Sequence, residues 1–147
     1  MGSGMRLKGW ERRFRIGIQD ELERPYDWTS SNCGHLVCTA VRACHGDHPL
    51  LDHLSSGWRD KADVLQYLLD NGGVSRMIGE YFEPLASPML AGDADIGVYP
   101  SQVYDEHAGE YRDAEVGMVI LDGMAVGKTL EGPFRVPVKR LSRVFKV

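Results

Sequence analysis

Long apolar runs are missing from this 147-residue sequence. The longest unbroken stretch is Met118-Val119-Ile120-Leu121, far short of the roughly 20 residues that cross a bilayer as a helix, so no membrane insertion is expected. No apolar core of a signal peptide stands near the start, and Arg6 occupies the place where a myristoylation motif wants Ser or Thr. Cysteine is scarce: three residues at uneven spacing make no disulfide framework and point to a reducing compartment. An excess of positive charge is also lacking. Lys and Arg number 17 against 21 Asp and Glu, for a net charge of −4, which argues against a nucleic-acid-binding module. Gly123-x3-Gly127-Lys128-Thr129 is one residue short of a phosphate loop and runs into strand-like sequence instead of a helix, so nucleotide binding is rejected. His45, Asp47, His48, Asp52 and His53 crowd one stretch, yet their spacing fits no zinc signature. That stretch reads as a solvated loop, and neither metal nor cofactor is expected.

What remains is an ordinary globular composition, 43% apolar and 26% charged, sized for one domain with its own core. Met1-Gly2-Ser3-Gly4 ahead of Met5 reads as a tag or disordered start over 1–5, and 6–147 as a single domain. Trp10, Phe14, Ile18 and Leu22 form one stripe, which predicts a helix over Arg6–Glu23 stopped by Pro25. A second helix is predicted over Cys33–Cys44, capped by Ser31 or Asn32 and ended by Gly46. A third covers Asp60–Asp70 and a short fourth Val74–Phe82. From Pro84 onward Gly and Pro punctuate Val- and Ile-rich runs, giving strands over Ile96–Tyr99, Val116–Leu121, Ala125–Leu130, Phe134–Val138 and Leu141–Val147. Asp122-Gly123 is a strong hairpin turn. Asp93–Glu115, with seven carboxylates and one arginine, reads as an acidic loop between the first two strands. Helices first and an antiparallel sheet second is the α+β pattern.

Cys33 is the residue on which chemistry would centre. It stands where a polar turn becomes a helix, and the unpaired N–H groups and dipole there favour a thiolate. A small buried apolar residue is the competing reading. Cys38, on the opposite face, and Cys44, at the far end, read as structural.

Pro25-Tyr26-x-Trp28, Asn32-Cys33 opening a helix, Gly72-Gly73, Gly92-Asp93, and Val116-Gly117-Met118-Val119 followed by Asp122-Gly123 occur in that order. The set resembles the NlpC-like branch of the papain-fold cysteine peptidases over nearly the whole chain. It is closer still to small uncharacterised phage and prophage proteins commonly encoded among tail genes. The resemblance implies a papain-like single domain, N-terminal helices packed on a C-terminal antiparallel sheet. It places Cys33 at the nucleophile position, with Tyr26, Trp28 and Asn32 beside a substrate groove. It also shows departures. Asn32 stands where Asp is usual, Thr29 where Gly is usual, and Glu115 where the general-base histidine should precede Val116-Gly117. A carboxylate there raises a neighbouring thiol's pKa and is a poor acid for a leaving amine. His107, in the acidic loop, is the first candidate for a displaced base. His35 is expected to point away from Cys33.

Two functions follow from the resemblance. One is a phage tail virion protein, made in the host cytoplasm and assembled with other tail proteins, that keeps the fold with a degenerate site. The other is an active cysteine peptidase or amidase that cuts peptidoglycan stem peptides during DNA entry. A charge split supports an assembly partner: the acidic loop contrasts with Lys139, Arg140, Arg143 and Lys146, and such segments steer docking between subunits.

Overall fold

A computed structural model describes residues 5–54 and 57–147. Of the start expected over 1–5, residues 1–4 lie outside the described residues. Five helices precede most of the sheet: α1 (Trp10–Glu23), α2 (Cys33–His45), α3 (Pro49–Leu54), α4 (Lys61–Asp70) and α5 (Val74–Gly79). The strands are β1 (Glu83–Pro84), β2 (Ile96–Asp105), β3 (Glu110–Leu121), β4 (Met124–Thr129), β5 (Gly132–Pro137) and β6 (Arg143–Lys146). They form one antiparallel sheet in the order β1-β6-β2-β3-β4-β5. The α+β class expected from the sequence is the class observed.

Alternation along β3 divides the core. Val119 faces the helices with Ile96, Val98 and Val126, against Phe14 and Ile18 of α1 and Leu36, Val37 and Val41 of α2. Met118 and Ile120 point to the opposite face, where Ala125, Val136, Leu141 and Val144 enclose a second cluster. Helix α2 therefore packs on β3 and β4. The sheet it packs on continues through β5, whose Val136 belongs to the far-face cluster.

Several boundaries differ from expectation for local reasons. Helix α1 begins at Trp10 and not Arg6, because Gly9 adopts a left-handed conformation (φ 79°). Before it, Leu7 N–H donates to the Cys44 carbonyl at 2.7 Å, and Arg6 reaches the fully buried Asp95 at 2.8 Å. The stretch read as a solvated loop after Cys44 contains α3, whose Leu50, Leu51 and Leu54 are buried. The acidic loop is largely strand: β2 and β3 pair in unbroken register from Ile96↔Val119 to Asp105↔Glu110, leaving only a tight turn at its tip.

Gly117 sets how closely the sheet approaches α2. A Cβ built on it would stand 2.8 Å from Val37 Cγ2, with the Cys33 carbonyl and Val74 beyond. Gly117→Ala is expected to destabilise the fold by about 1–3 kcal/mol, the usual cost of overpacking a filled contact. A urea midpoint unchanged from wild type would show that β3 and α2 do not meet this closely.

Candidate functional site

The turn before α2 is built by side chains that bond their own backbone. Asp27 accepts from Thr29 N–H, the Thr29 hydroxyl and Ser30 N–H, which holds its carboxyl down at about 2. Asp27 and Ser31 also exchange backbone bonds at 3.0 Å. Asn32 is the helix cap. Its Oδ1 accepts from Gly34 N–H at 2.8 Å and His35 N–H at 3.2 Å, its own N–H donates to His35 Nδ1, and its side-chain amide donates to the Trp28 carbonyl. Asn32 thus contributes by fixing the start of α2, and it is itself buried. The His35 ring is spent closing this capping box and lies edge-on to Trp58.

Cys33 opens into a cavity of about 470 Å³. Tyr26 and Trp28, in an edge-to-face pair at 5.5 Å, form part of its wall. Glu115 and Gly117 of β3, Lys61 of α4 and Lys128 of β4 line it as well. The Cys33 residue is half-buried. Burial raises its thiol pKa, and the N–H groups of Gly117, Cys33 and Gly34 pull in the opposite direction without overcoming it.

Glu115 occupies the wall of this cavity, yet its carboxylate is engaged elsewhere. Oε1 accepts from Ser75 N–H at 3.0 Å and Oε2 from the Ser75 hydroxyl at 2.6 Å, capping the first turn of α5 from across the sheet. From the sequence, a carboxylate at 115 is expected to raise the thiol. The thiol is raised, but through burial.

His107 is at the tip of the β2–β3 hairpin, where its N–H donates to Asp105 at 3.0 Å. About 17 Å of strand separates that tip from Glu115, and His107 lines a different, wider groove between α4 and the hairpin. The structure does not bring it to Cys33. The remaining histidines are also occupied. His53 lies between the hydroxyls of Tyr67 (2.7 Å) and Tyr81 (3.0 Å), while His45 and His48 stack on Phe82. No group of metal-ligating side chains is assembled among the described residues, and no helix there is long and apolar enough to cross a membrane.

A model of the DUF6950 family, described as a domain of unknown function, matches residues 5–147. The chain belongs to the DUF6950 family. No curated protein and no solved structure matches it.

One part of this DUF6950 site was not foreseen. Lys128, rejected as a phosphate-loop lysine, is only 2% exposed. Its ammonium donates to the Glu21 carbonyl and the Ser31 hydroxyl and pairs with the Glu21 carboxylate at 3.2 Å. Ser31 in turn donates to Glu21 at 2.6 Å. The cluster ties β4 and the end of α1 to the residue just ahead of the cap. The available signal was Glu21 itself, a carboxylate one position before the apolar stripe residue Leu22.

Thiol burial carries a pH consequence in this chain. Cys38 is pushed up to about 12 by burial, and Cys33 and Cys44 are also raised. A raised folded-state pKa favours the protonated fold. This stability is therefore present below the unfolded thiol value of about 8.5 and is lost as pH rises above it. The urea midpoint is expected to fall between neutral pH and pH ~10, and less steeply in Cys38→Ala. Equal slopes would remove Cys38 as a source.

Proposed function

We propose that this protein is an NlpC-like, papain-fold phage tail virion protein whose Cys33 groove binds and does not cleave. The observation that carries the non-cleaving part is the lining of the Cys33 cavity. No histidine is among its lining residues, and the carboxylate at the base position is committed to Ser75. A thiol attacking an amide needs a partner to take its proton and return it to the leaving amine, and this cavity supplies none. The tail setting is supported by the ordered sequence motifs and by the acidic hairpin and basic C-terminal strand, which suit docking among other tail proteins. Host cytoplasm is the place of synthesis in this reading and the virion its destination.

The test has two arms. Purified protein incubated with peptidoglycan is expected to release no more soluble fragment than Cys33→Ala, and mass spectrometry of particles from a phage encoding the chain is expected to find it in the tail. Absence from the particle would overturn the tail assignment.

A second reading, an active peptidase on peptidoglycan stem peptides, is favoured by the place of Cys33 at the start of α2, lining a cavity, where the backbone N–H groups of Gly117, Cys33 and Gly34 favour the thiolate. Donors so placed stabilise a thiolate, and the same arrangement serves an oxyanion. Digestion that is abolished by Cys33→Ala would establish this reading. Alkylation of Cys33 at pH 6 as fast as that of an activated thiol would accompany it. The expected result is slow alkylation that climbs only above pH ~8.5, because the neutral thiol is favoured until then.

A further inference from the structure

We infer that the free edge of β3 beside Cys33 is a strand-addition site for an extended segment of a partner polypeptide. The inference deepens the binding reading of the Cys33 groove and rests on it. It starts from the register. β4 pairs with β3 only from Leu121↔Met124 to Val119↔Val126. Beyond that point β4 leaves, and Gly127, Lys128 and Thr129 pair with β5 alone. β3 runs on to Glu110 with β2 as its one strand neighbour. Ala114–Gly117 of β3 and Lys128–Glu131 face each other across the resulting wedge, which is the Cys33 cavity.

The direction of the β3 backbone groups follows from bonds already made. Ile120 N–H donates to the Asp95 carbonyl, and Ala94 N–H donates to Ile120. Even-numbered residues of β3 therefore direct both backbone groups toward β2, and odd-numbered ones direct both away from it. Val119 and Leu121 use theirs on β4. Gly117 lines the Cys33 cavity, where its backbone lies against α2. Asp113 and Glu115 present an N–H and a carbonyl each toward the open side, and only an extended chain matches that spacing of donors and acceptors.

The opposite edge of the same hairpin is blunted. Past its pairing with β6 at Ile96–Val98, β2 carries Pro100, which has no N–H to offer and is the usual guard of an exposed edge. From Glu110 to Gly117, β3 has no proline.

Side-chain chemistry defines the occupant further. At the Cys33 end Glu115 is engaged by Ser75, Lys128 by Glu21 and Lys61 by Glu106 at 2.7 Å, and Glu131 is an exposed carboxylate on the rim. The walls there offer Val37, Val64 and Trp28, so small apolar residues fit. Toward the hairpin tip, Glu110 and Asp113 are exposed and Arg112 is already paired with Asp105 at 2.7 Å, so the strand's far end carries Lys or Arg. An antiparallel partner accordingly enters with its apolar N-terminal part near Cys33 and its basic C-terminal part at the tip.

The probe is the peptide acetyl-Ala-Val-Thr-Val-Lys-Val-Lys-amide, titrated into the labelled full chain. Saturable binding below about 1 mM is expected, with slowed hydrogen exchange at the Asp113 and Glu115 amides. N-methylation of the peptide at every second residue is expected to weaken binding by roughly tenfold or more in one phase and little in the other. Asp113→Pro is expected to abolish binding while leaving the urea midpoint near wild type, since it removes an N–H that β2 does not use. Equal sensitivity to both N-methyl phases, or binding without protection at Glu115, would overturn strand addition while leaving a non-cleaving groove intact. No binding at all would also overturn it. Concentration-dependent protection of the same amides without peptide would overturn a foreign strand in favour of a second copy. Peptide cleavage would instead sink the binding reading itself.

Discussion

Lys128→Met is expected to cost about 3–5 kcal/mol of folding stability, the usual penalty for leaving a buried charge unpaired. The ammonium of Lys128 sits among the Glu21 carbonyl, the Glu21 carboxylate and the Ser31 hydroxyl, with side-chain exposures of 1% for Lys128 and 9% for Glu21. Methionine matches the stem of the lysine but supplies no donor. Glu21 is then left with one hydroxyl donor, and the carbonyl near the end of α1 with none. Pairing this change with Glu21→Leu should recover most of the loss, because replacing both members of a buried pair by apolar residues is often close to neutral. Urea unfolding of the two single variants and the double variant closes the cycle. If Lys128→Met unfolds at the wild-type midpoint, the cluster is not the tie between β4, α1 and the Cys33 turn. The variant should also disturb Cys33, since Ser31 immediately precedes the cap. A change in alkylation rate at a pH where the variant remains folded separates that positioning effect from global unfolding.

The sequence made some of this arrangement legible and hid the rest for physical reasons. Helix α2 was legible because its apolar positions recur at helical spacing and Asn32 caps it with a side chain suited to that role. The turn at Asp122-Gly123 was legible because both residues take positive φ (51° and 81°), as a two-residue hairpin of the primed kind demands. Hydrophobic pattern could not find the outer halves of β2 and β3. From Ser101 to Asp113 the hairpin is flanked by no further strand, and its exposed Tyr104 and Tyr111 pack on each other at 5.2 Å. An acidic, half-solvated ribbon looks like a loop when burial is the signal sought. Helix α3 was masked by Asp52 and His53 and by the polar residues just before it, although Leu50, Leu51 and Leu54 share helical spacing. At the site, Cys33, Tyr26 and Trp28 were identified together, because each is tied to one short turn. The engagement of Glu115 with Ser75 and of Lys128 with Glu21 spans 40 and 107 residues of sequence, and no local pattern encodes contacts of that separation.

Glu115→His tests how far this site is from a cysteine peptidase, and it is expected to raise the alkylation rate of Cys33 near neutral pH by roughly a hundredfold. Glu115 and Gly117 share one face direction of β3, and both line the Cys33 cavity. An imidazole at 115 therefore enters a cavity wall already shared with the thiol. The carboxylate now turns from that cavity because Ser75 offers it two donors. Histidine loses the second of these bonds, and the first turn of α5 should loosen by about 1–2 kcal/mol. An imidazolium beside the sulfur opposes the burial that keeps the thiol neutral, so the thiolate fraction should rise at pH values where wild type has almost none. The control is Glu115→Ala, which gives up the same α5 contacts without supplying a base. Alkylation followed from pH 5 to pH 10 should show a new low-pH limb in Glu115→His only. If the two variants give superimposable profiles, position 115 does not address Cys33, and the papain-like correspondence of β3 with a base-bearing strand fails. A new limb without any release of peptidoglycan fragments would separate a reactive thiol from a working peptidase, and would place the remaining deficit in the orientation of a bound peptide.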